Sequence, residues 1–286
     1  MTTIDEGVAA DHDAAPKPGE MSLADHLREL RSRLIKSAIA IVLGMIVGWV
    51  FFDPIYAFLS APINAVIADA QAQGRDIQVV VLGITDPFTL KMKISATVGL
   101  VLAAPVWLYQ LWRFITPGLH KHERRTAYLF AAVAFPLFLA GVALAYVFLP
   151  KGLDLLFGFT PENVSNYVEV SRYLSFFLRT ALVFGLGFLT PLILVALNIV
   201  GVLSGKRLAS WWRGIIFGVF VFAAVATPSG DPITLLALGL PILTLVGAAI
   251  GFCFLNDRRR RINGAEPDYD TWDDDQTSPL PGGDDR

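Results

Sequence analysis

The chain has 286 residues, 54% hydrophobic and 17% charged, with a formal net charge of -2 and a mean hydropathy of +0.56. Soluble domains carry about a quarter charged residues, and here the apolar residues come in long unbroken blocks, so a single large water-soluble core is excluded. One cysteine, Cys253, excludes an intramolecular disulfide and a cysteine metal cluster.

Residues 1–20 carry Asp5, Glu6, Asp11, Asp13 and Glu20 among prolines and alanines. They lack the basic start and apolar core of a secretory signal, and are expected to form a disordered, uncleaved tail. Met21 to Leu34 follows. Ser22 with Asp25 resembles a capping box, and Leu23, Leu27, Leu30 and Leu34 share one helical face. An amphipathic helix is therefore predicted to lead straight into a first span over 35–52. The connection 53–88 is punctuated by Pro54, Pro62 and Pro87, and its stripe Ile55, Phe58, Leu59, Ile63 and Val66 predicts a helix lying along the surface. A second span over 94–114 ends in interfacial aromatics, a turn at Pro117-Gly118 and a basic stretch from Lys121 to Arg125.

The third span covers 126–149, a polar connection 150–172, and the fourth span 173–200. The fifth, 212–226, is short, about 20 Å at the helical rise between Arg213 and Thr227. It must thin a bilayer core of about 30 Å or hide behind protein. A tight turn at Thr227-Pro-Ser-Gly-Asp231 leads to a sixth span over 232–255. The tail 256–286 begins with Arg258 to Arg261 and turns acidic, and is expected to be disordered; the arginines read as a stop-transfer cluster or as a binder of acidic lipid. No segment alternates with period 2, which excludes an outer-membrane barrel. The fold class expected is all-α, a polytopic membrane protein with six transmembrane helices in one domain over 21–255.

The basic residues orient it. Seventeen of the twenty-three Lys and Arg lie on the side of the termini, from Lys17, Arg28, Arg31, Arg33 and Lys36 to the run Arg258–Arg261. The positive-inside rule then puts both termini in the cytoplasm of a cell (inner or plasma) membrane.

Chemistry is sparse along the chain. Gly201-Val-Leu-Ser-Gly-Lys206 resembles a phosphate loop with one spacer too few and Arg207 at its end. His120 and His122 have no carboxylate or thiol partners at metal spacing. Gly44/Gly48, Gly214/Gly218 and Gly247/Gly251 read as close packing within the bundle rather than as partner sites. No paired aspartates, His-Glu-x-x-His or Ser-His arrangement lies in the spans, against a membrane-embedded protease. No internal repeat or charged midspan cluster favours a secondary transporter. No catalytic residue, metal, cofactor or nucleic-acid partner is expected. Two lone acids in basic cytoplasmic segments remain, Glu29 and Glu123. Each is open to two readings, a structural ion pair, such as Glu29 with Arg33 at i,i+4, or a binding group.

His26-Leu-x-Glu-Leu-Arg-x-Arg-Leu34, Tyr109-Gln-x-Trp-x-Phe-Ile-x-Pro117 and Lys121-His-Glu-Arg-Arg125 resemble the signatures of the TatC family, in order and spacing. Ser60-Ala-Pro62, Asp86-Pro-Phe88, Tyr173-Leu-Ser-Phe176 and Thr227-Pro228 with Asp231 extend the resemblance over about 22–255. It implies a receptor that binds twin-arginine signal peptides of folded cargo at its cytoplasmic face. It also implies recruitment of single-span TatA-like and TatB-like partners, transport driven by the proton-motive force, and a homo-oligomer within a larger complex. Carried over by motif position, Glu29 and Glu123 meet the paired arginines, and Leu34 and Phe114 line the contact with the peptide's apolar part. Arg31, Arg33, Arg124, Pro62 and Asp231 stand as supporting residues. Two positions depart from the family. Leu189 stands where many members carry a fourth-span glutamate, and Arg179 lies two turns inside that span, either snorkelling outward or pairing with a polar group on a partner helix.

Overall fold

In lipid an apolar run can satisfy its backbone within a helix. The computed structural model describes residues 23–75, 77–115, 123–161, 166–227 and 231–262, and is mostly helical over them. Among the described residues four helical stretches are long and apolar enough to cross a membrane, His26–Val50, Tyr128–Gly158, Val170–Ile199 and Pro232–Arg260. A bent pair, Asp86–Leu102 with Ala104–Phe114, supplies one more, and Trp212–Val225 is a shorter apolar helix. The expected tail 1–20, the Pro117-Gly118 turn, His120, His122 and the middle of the Thr227–Asp231 turn lie outside the described residues.

The amphipathic segment and the first apolar run form one helix, α1 (Leu23–Val50). It breaks at Phe51 into α2 (Phe52–Ala72). Of the stripe predicted for α2, Leu59, Ile63 and Val66 are buried and Ile55 half-buried. Phe58 stays exposed and stacks on Tyr146, with ring centroids 4.5 Å apart. Two helices follow, α3 (Asp86–Leu102) and α4 (Ala104–Ile115), bent by 58° at Ala103. Pro105 has no N–H for the turn before it, and at the break Trp107 Nε1 donates to the Leu100 carbonyl at 2.9 Å. The same device recurs where α6 (Val170–Phe188) gives way at Leu189 to α7 (Thr190–Ile199), with Pro191 in its first turn.

Between them α5 (Glu123–Gly158) does not stop before Pro150, as the boundary at 149 expected. Gly152 and Leu153 beyond it are buried, so packing carries the helix past the lost hydrogen bond. The chain ends in α8 (Gly205–Ser210), α9 (Trp212–Ala226) and α10 (Pro232–Ile262). α10 keeps residues 256–262 helical, which the sequence reading gave to the tail.

One element departs from an all-α fold. Ile77–Val80 (β1) and Asn166–Glu169 (β2) pair in parallel, from Ile77↔Asn166 to Val80↔Glu169. This ribbon ties together the connections after α2 and α5, and Ile77 is fully buried.

The glycine pairs divide. A Cβ on Gly44 would come within 2.9 Å of the Gly99 Cα, and one on Gly48 within 3.0 Å of the Ser95 Cα, so α1 and α3 touch backbone to backbone. At Gly214, Gly218, Gly247 and Gly251 a Cβ meets nothing within 4 Å among the described residues. For those two pairs the expectation of packing within the bundle is corrected: spacing marks a small-residue face but not what that face points at. The core lies between α3, α5, α6 and α10, around Ile94, Leu174, Phe184, Leu238 and Ile242.

Candidate functional site

Three helix ends converge where α1 begins, α4 ends and α5 begins. His26 of α1 stacks on Phe114 of α4, centroids 4.7 Å apart and rings 21° from parallel. Tyr109 of α4 stacks on Tyr128 of α5 at 5.0 Å, and Trp112 on Phe130 at 4.1 Å. α4 is amphipathic, so its aromatic face serves both neighbours.

Between α1 and α4 lies a groove of about 300 Å³. Leu30, Leu34, Ile41, Leu100, Trp107, Leu111 and Phe114 give it apolar walls, with Arg33, Ser37 and Gln110 among its lining. Leu34 is 66% exposed although its surroundings are apolar.

A carboxylate stands beside the groove. Glu29 Oε1 accepts from Arg33 Nε at 3.1 Å and also from Arg33 Nη2. The Arg33 side chain is buried, and its Nη1 donates to Gln110 Oε1 at 3.4 Å. The structural ion pair that the sequence left open is therefore formed. It occupies one oxygen. Glu29 Oε2 is buried and accepts no hydrogen bond among the described residues. A buried acceptor without a donor costs about 1–3 kcal/mol, which an arriving donor removes.

Of the residues singled out in the sequence, Glu29, Arg33, Leu34 and Phe114 are brought together here, and Arg31 is exposed on the same helix. Glu123 opens α5; its side chain and that of Arg124 lie outside the described residues. Pro62 and Asp231 are elsewhere. Pro62 is buried within α2. Asp231 is 5% exposed and caps α10, its Oδ1 accepting from Thr234 N–H at 2.7 Å beside Gly152 of α5. His26, Trp107 and Gln110 went unassigned, although His26 and Gln110 fall within the quoted motifs.

A second polar cluster joins α7, α8 and α10. Asn198 Nδ2 donates to the Leu203 carbonyl and to Asp257 Oδ1, both at 2.8 Å, while Asp257 Oδ2 accepts from Gly205 N–H at 2.6 Å. Asn256 Nδ2 donates to Asn198 Oδ1 at 3.0 Å. The glycine N–H of the loop that resembled a phosphate cradle is thus already held by a carboxylate of the chain itself.

Spans of this length, packed through backbone contacts and bearing an apolar groove beside a carboxylate, define a polytopic helical membrane protein. The comparisons narrow this further. Residues 25–241 match the family described as Sec-independent protein translocase protein (TatC). A TatC protein of Frankia casuarinae is 44% identical over 265 residues, covering 91% of this chain and 73% of that protein. One of Aquifex aeolicus is 34% identical over 244 residues, covering 84% and 98%. A crystal structure of the twin-arginine translocase receptor TatC superposes with a TM-score of 0.68 at 35% identity, covering 82% of this chain and all of that one. The chain belongs to the TatC family, and is a membrane component of Sec-independent protein translocation.

Proposed function

We propose that the chain is the signal-peptide receptor of a twin-arginine translocase, with the α1–α4 groove and the two glutamates as its site. The observation that carries this reading is Glu29 Oε2, buried and without a hydrogen bond among the described residues, beside an apolar groove lined by Leu34 and Phe114. A twin-arginine peptide has both complementary parts: guanidinium groups for carboxylates and an apolar stretch for the groove. A guanidinium pairs with a carboxylate through two parallel hydrogen bonds, whereas a lysine offers a point charge. Basic residues around the site disfavour cations that lack this geometry. Counting the α3–α4 pair and α9 as one span each gives six; an even number puts both termini on one side, and the distribution of basic residues supports the cytoplasm for that side.

Glu29 and Glu123 act as one bipartite site. Charge-assisted pairs contribute about 1.5–3 kcal/mol each, so Glu29→Gln or Glu123→Gln should weaken binding of a twin-arginine peptide by about tenfold to a hundredfold. Affinities for Arg-Arg and Lys-Lys peptides, measured with wild type, each variant and the double variant, test this. A wild type without Arg-Arg preference, or a double variant that keeps it, overturns the assignment.

The outer ends of α9 and α10 dock a TatA-like or TatB-like single-span partner. α9 has 15 residues, about 22 Å of rise against a bilayer core of about 30 Å, so the membrane is thinned beside it. Photocrosslinkers at Val221 or Leu235 should capture such a partner. Crosslinks from the outer face of α5 alone would place docking elsewhere.

A further inference from the structure

Arg179 lies in the apolar stretch of α6, nine residues after Val170, about 13 Å along the helix. It is exposed, and among the described residues it makes no ion pair or hydrogen bond. One turn earlier on the same face stands Ser175, whose Oγ accepts from Lys93 Nζ of the neighbouring α3 at 3.0 Å. Lys93 is likewise exposed, seven residues after Asp86, and among the described residues no carboxylate pairs with it. Lys93 thus reaches a hydroxyl of the adjacent helix one turn before Arg179, so two exposed cations stand on one side of the α3–α6 pair.

The direction of the side chains sharpens the point. In an α-helix side chains lean toward the N-terminus. Both α3 and α6 begin beside the β1–β2 ribbon, so Lys93 and Arg179 lean back toward that end of the bundle, Arg179 over the turn that holds Ser175. The interface level is marked nearby: Lys91 Nζ, two residues before Lys93, lies 4.7 Å from the ring of Trp49, and tryptophans gather at membrane–water boundaries. A nearby acid, Glu169, is held by Arg172 at 2.8 Å. Two like charges placed together at this depth call for an anion from outside the chain.

We propose that Lys93, Ser175 and Arg179 form a site for the phosphodiester of an outer-leaflet phospholipid. The cations supply charge, the guanidinium a fork matched to two phosphate oxygens, and the serine hydroxyl a further donor. A phospholipid fits better than a partner carboxylate because both side chains lean toward headgroup level rather than across the bilayer core. The choice of leaflet rests on the six-span orientation proposed above; the site does not depend on peptide binding.

Native mass spectrometry of the purified full-length chain in mild detergent tests this. Phosphatidylglycerol should stay bound to the wild type, diacylglycerol with the same chains should not, and the K93Q/R179Q variant should lose about tenfold or more of the phosphatidylglycerol adduct. The K93R/R179K variant keeps both charges and should retain it, which controls for a fold damaged by the neutral pair. Equal retention of diacylglycerol, an unchanged adduct in K93Q/R179Q, or loss in K93R/R179K overturns the proposal. Displacement of the lipid by millimolar inorganic phosphate would assign the anion to solution instead. A photocrosslinker at Leu182 that captures protein and no lipid would assign the cations to a partner helix. Twin-arginine peptide affinity should be unchanged in K93Q/R179Q, so the receptor reading and the lipid site can fail separately.

Discussion

Asp257 works with both oxygens, Oδ1 accepting from the Asn198 amide and Oδ2 from the Gly205 N–H at 2.6 Å. Asp257→Asn turns one acceptor into a donor and sets it against a donor already there. Leaving a partly buried donor unpaired costs about 1–3 kcal/mol. The melting temperature of the purified protein should therefore fall by several degrees, about 2–4 °C for each kcal/mol in a chain of this size. Asp257→Glu should not restore it, because the longer side chain cannot keep both oxygens on the same partners. Glu29 contrasts with this. Its pair with the buried Arg33 is an i,i+4 contact on one helix, and a glutamine there keeps a side-chain oxygen to accept from the guanidinium, whose Nη1 stays on Gln110. Glu29→Gln should leave the melting temperature within about two degrees of wild type while peptide affinity falls, and a large thermal loss would make the glutamate structural. The motif made Glu29 and Asp25 to Leu34 legible as a unit. Asn198 and Asp257 were not, because their contact joins two helices far apart in sequence and no local pattern announces it.

Helix contacts through glycine give the sharpest expectation for the elements. A Cβ on Gly141 would lie 2.4 Å from the Phe184 carbonyl oxygen, and one on Gly99 2.6 Å from that of Ile41. Backbone cannot yield as a flexible side chain can, so Gly141→Ala and Gly99→Ala should each force α5 from α6 or α1 from α3. Overpacking costs about 1–3 kcal/mol. Gly214→Ala and Gly247→Ala meet open space and should leave the melting temperature of the isolated chain unchanged or slightly raised, since alanine is the better helix former. If all four behave alike in a thermal-unfolding assay, the division of the glycines is wrong. The sequence shows Gly44/Gly48, Gly214/Gly218 and Gly247/Gly251 at one four-residue spacing and leaves Gly99 and Gly141 outside it. It cannot show which way each face turns, and that is decided by the rotation of whole helices in the bundle. Prolines mislead in a related way: Pro105 and Pro191 mark real breaks, whereas Pro150 lies inside a helix that continues, held by the burial of Leu153.

For the whole molecule, the apolar runs made the position and order of the long helices readable, because in lipid length and apolarity are nearly sufficient for a helix. The β1–β2 ribbon escaped because each strand has four residues and its partner lies beyond three intervening helices. Loop closure over that distance is fixed by the bundle and not by local sequence. Sidedness is the property most open to direct test. On the six-span topology proposed above, seventeen of twenty-three Lys and Arg residues fall on the side of the termini, and short basic loops are retained in the cytoplasm. Both termini and the loops around Lys121 and Lys206 should therefore be cytoplasmic, while 53–88 and 150–172 face outward. Cys253 is fully buried, and Cys253→Ser provides a background without reactive thiols. Single cysteines at Gln73 and Ser278 can then be labelled in intact cells with a membrane-impermeant thiol reagent. Gln73→Cys, in the exposed turn after α2, should react at once, and Ser278→Cys should react only after the membrane is permeabilised. The reverse pattern would invert the orientation. The peptide groove would then face outward, where a cytoplasmic signal peptide cannot reach it, and the phosphate site would move to the inner leaflet.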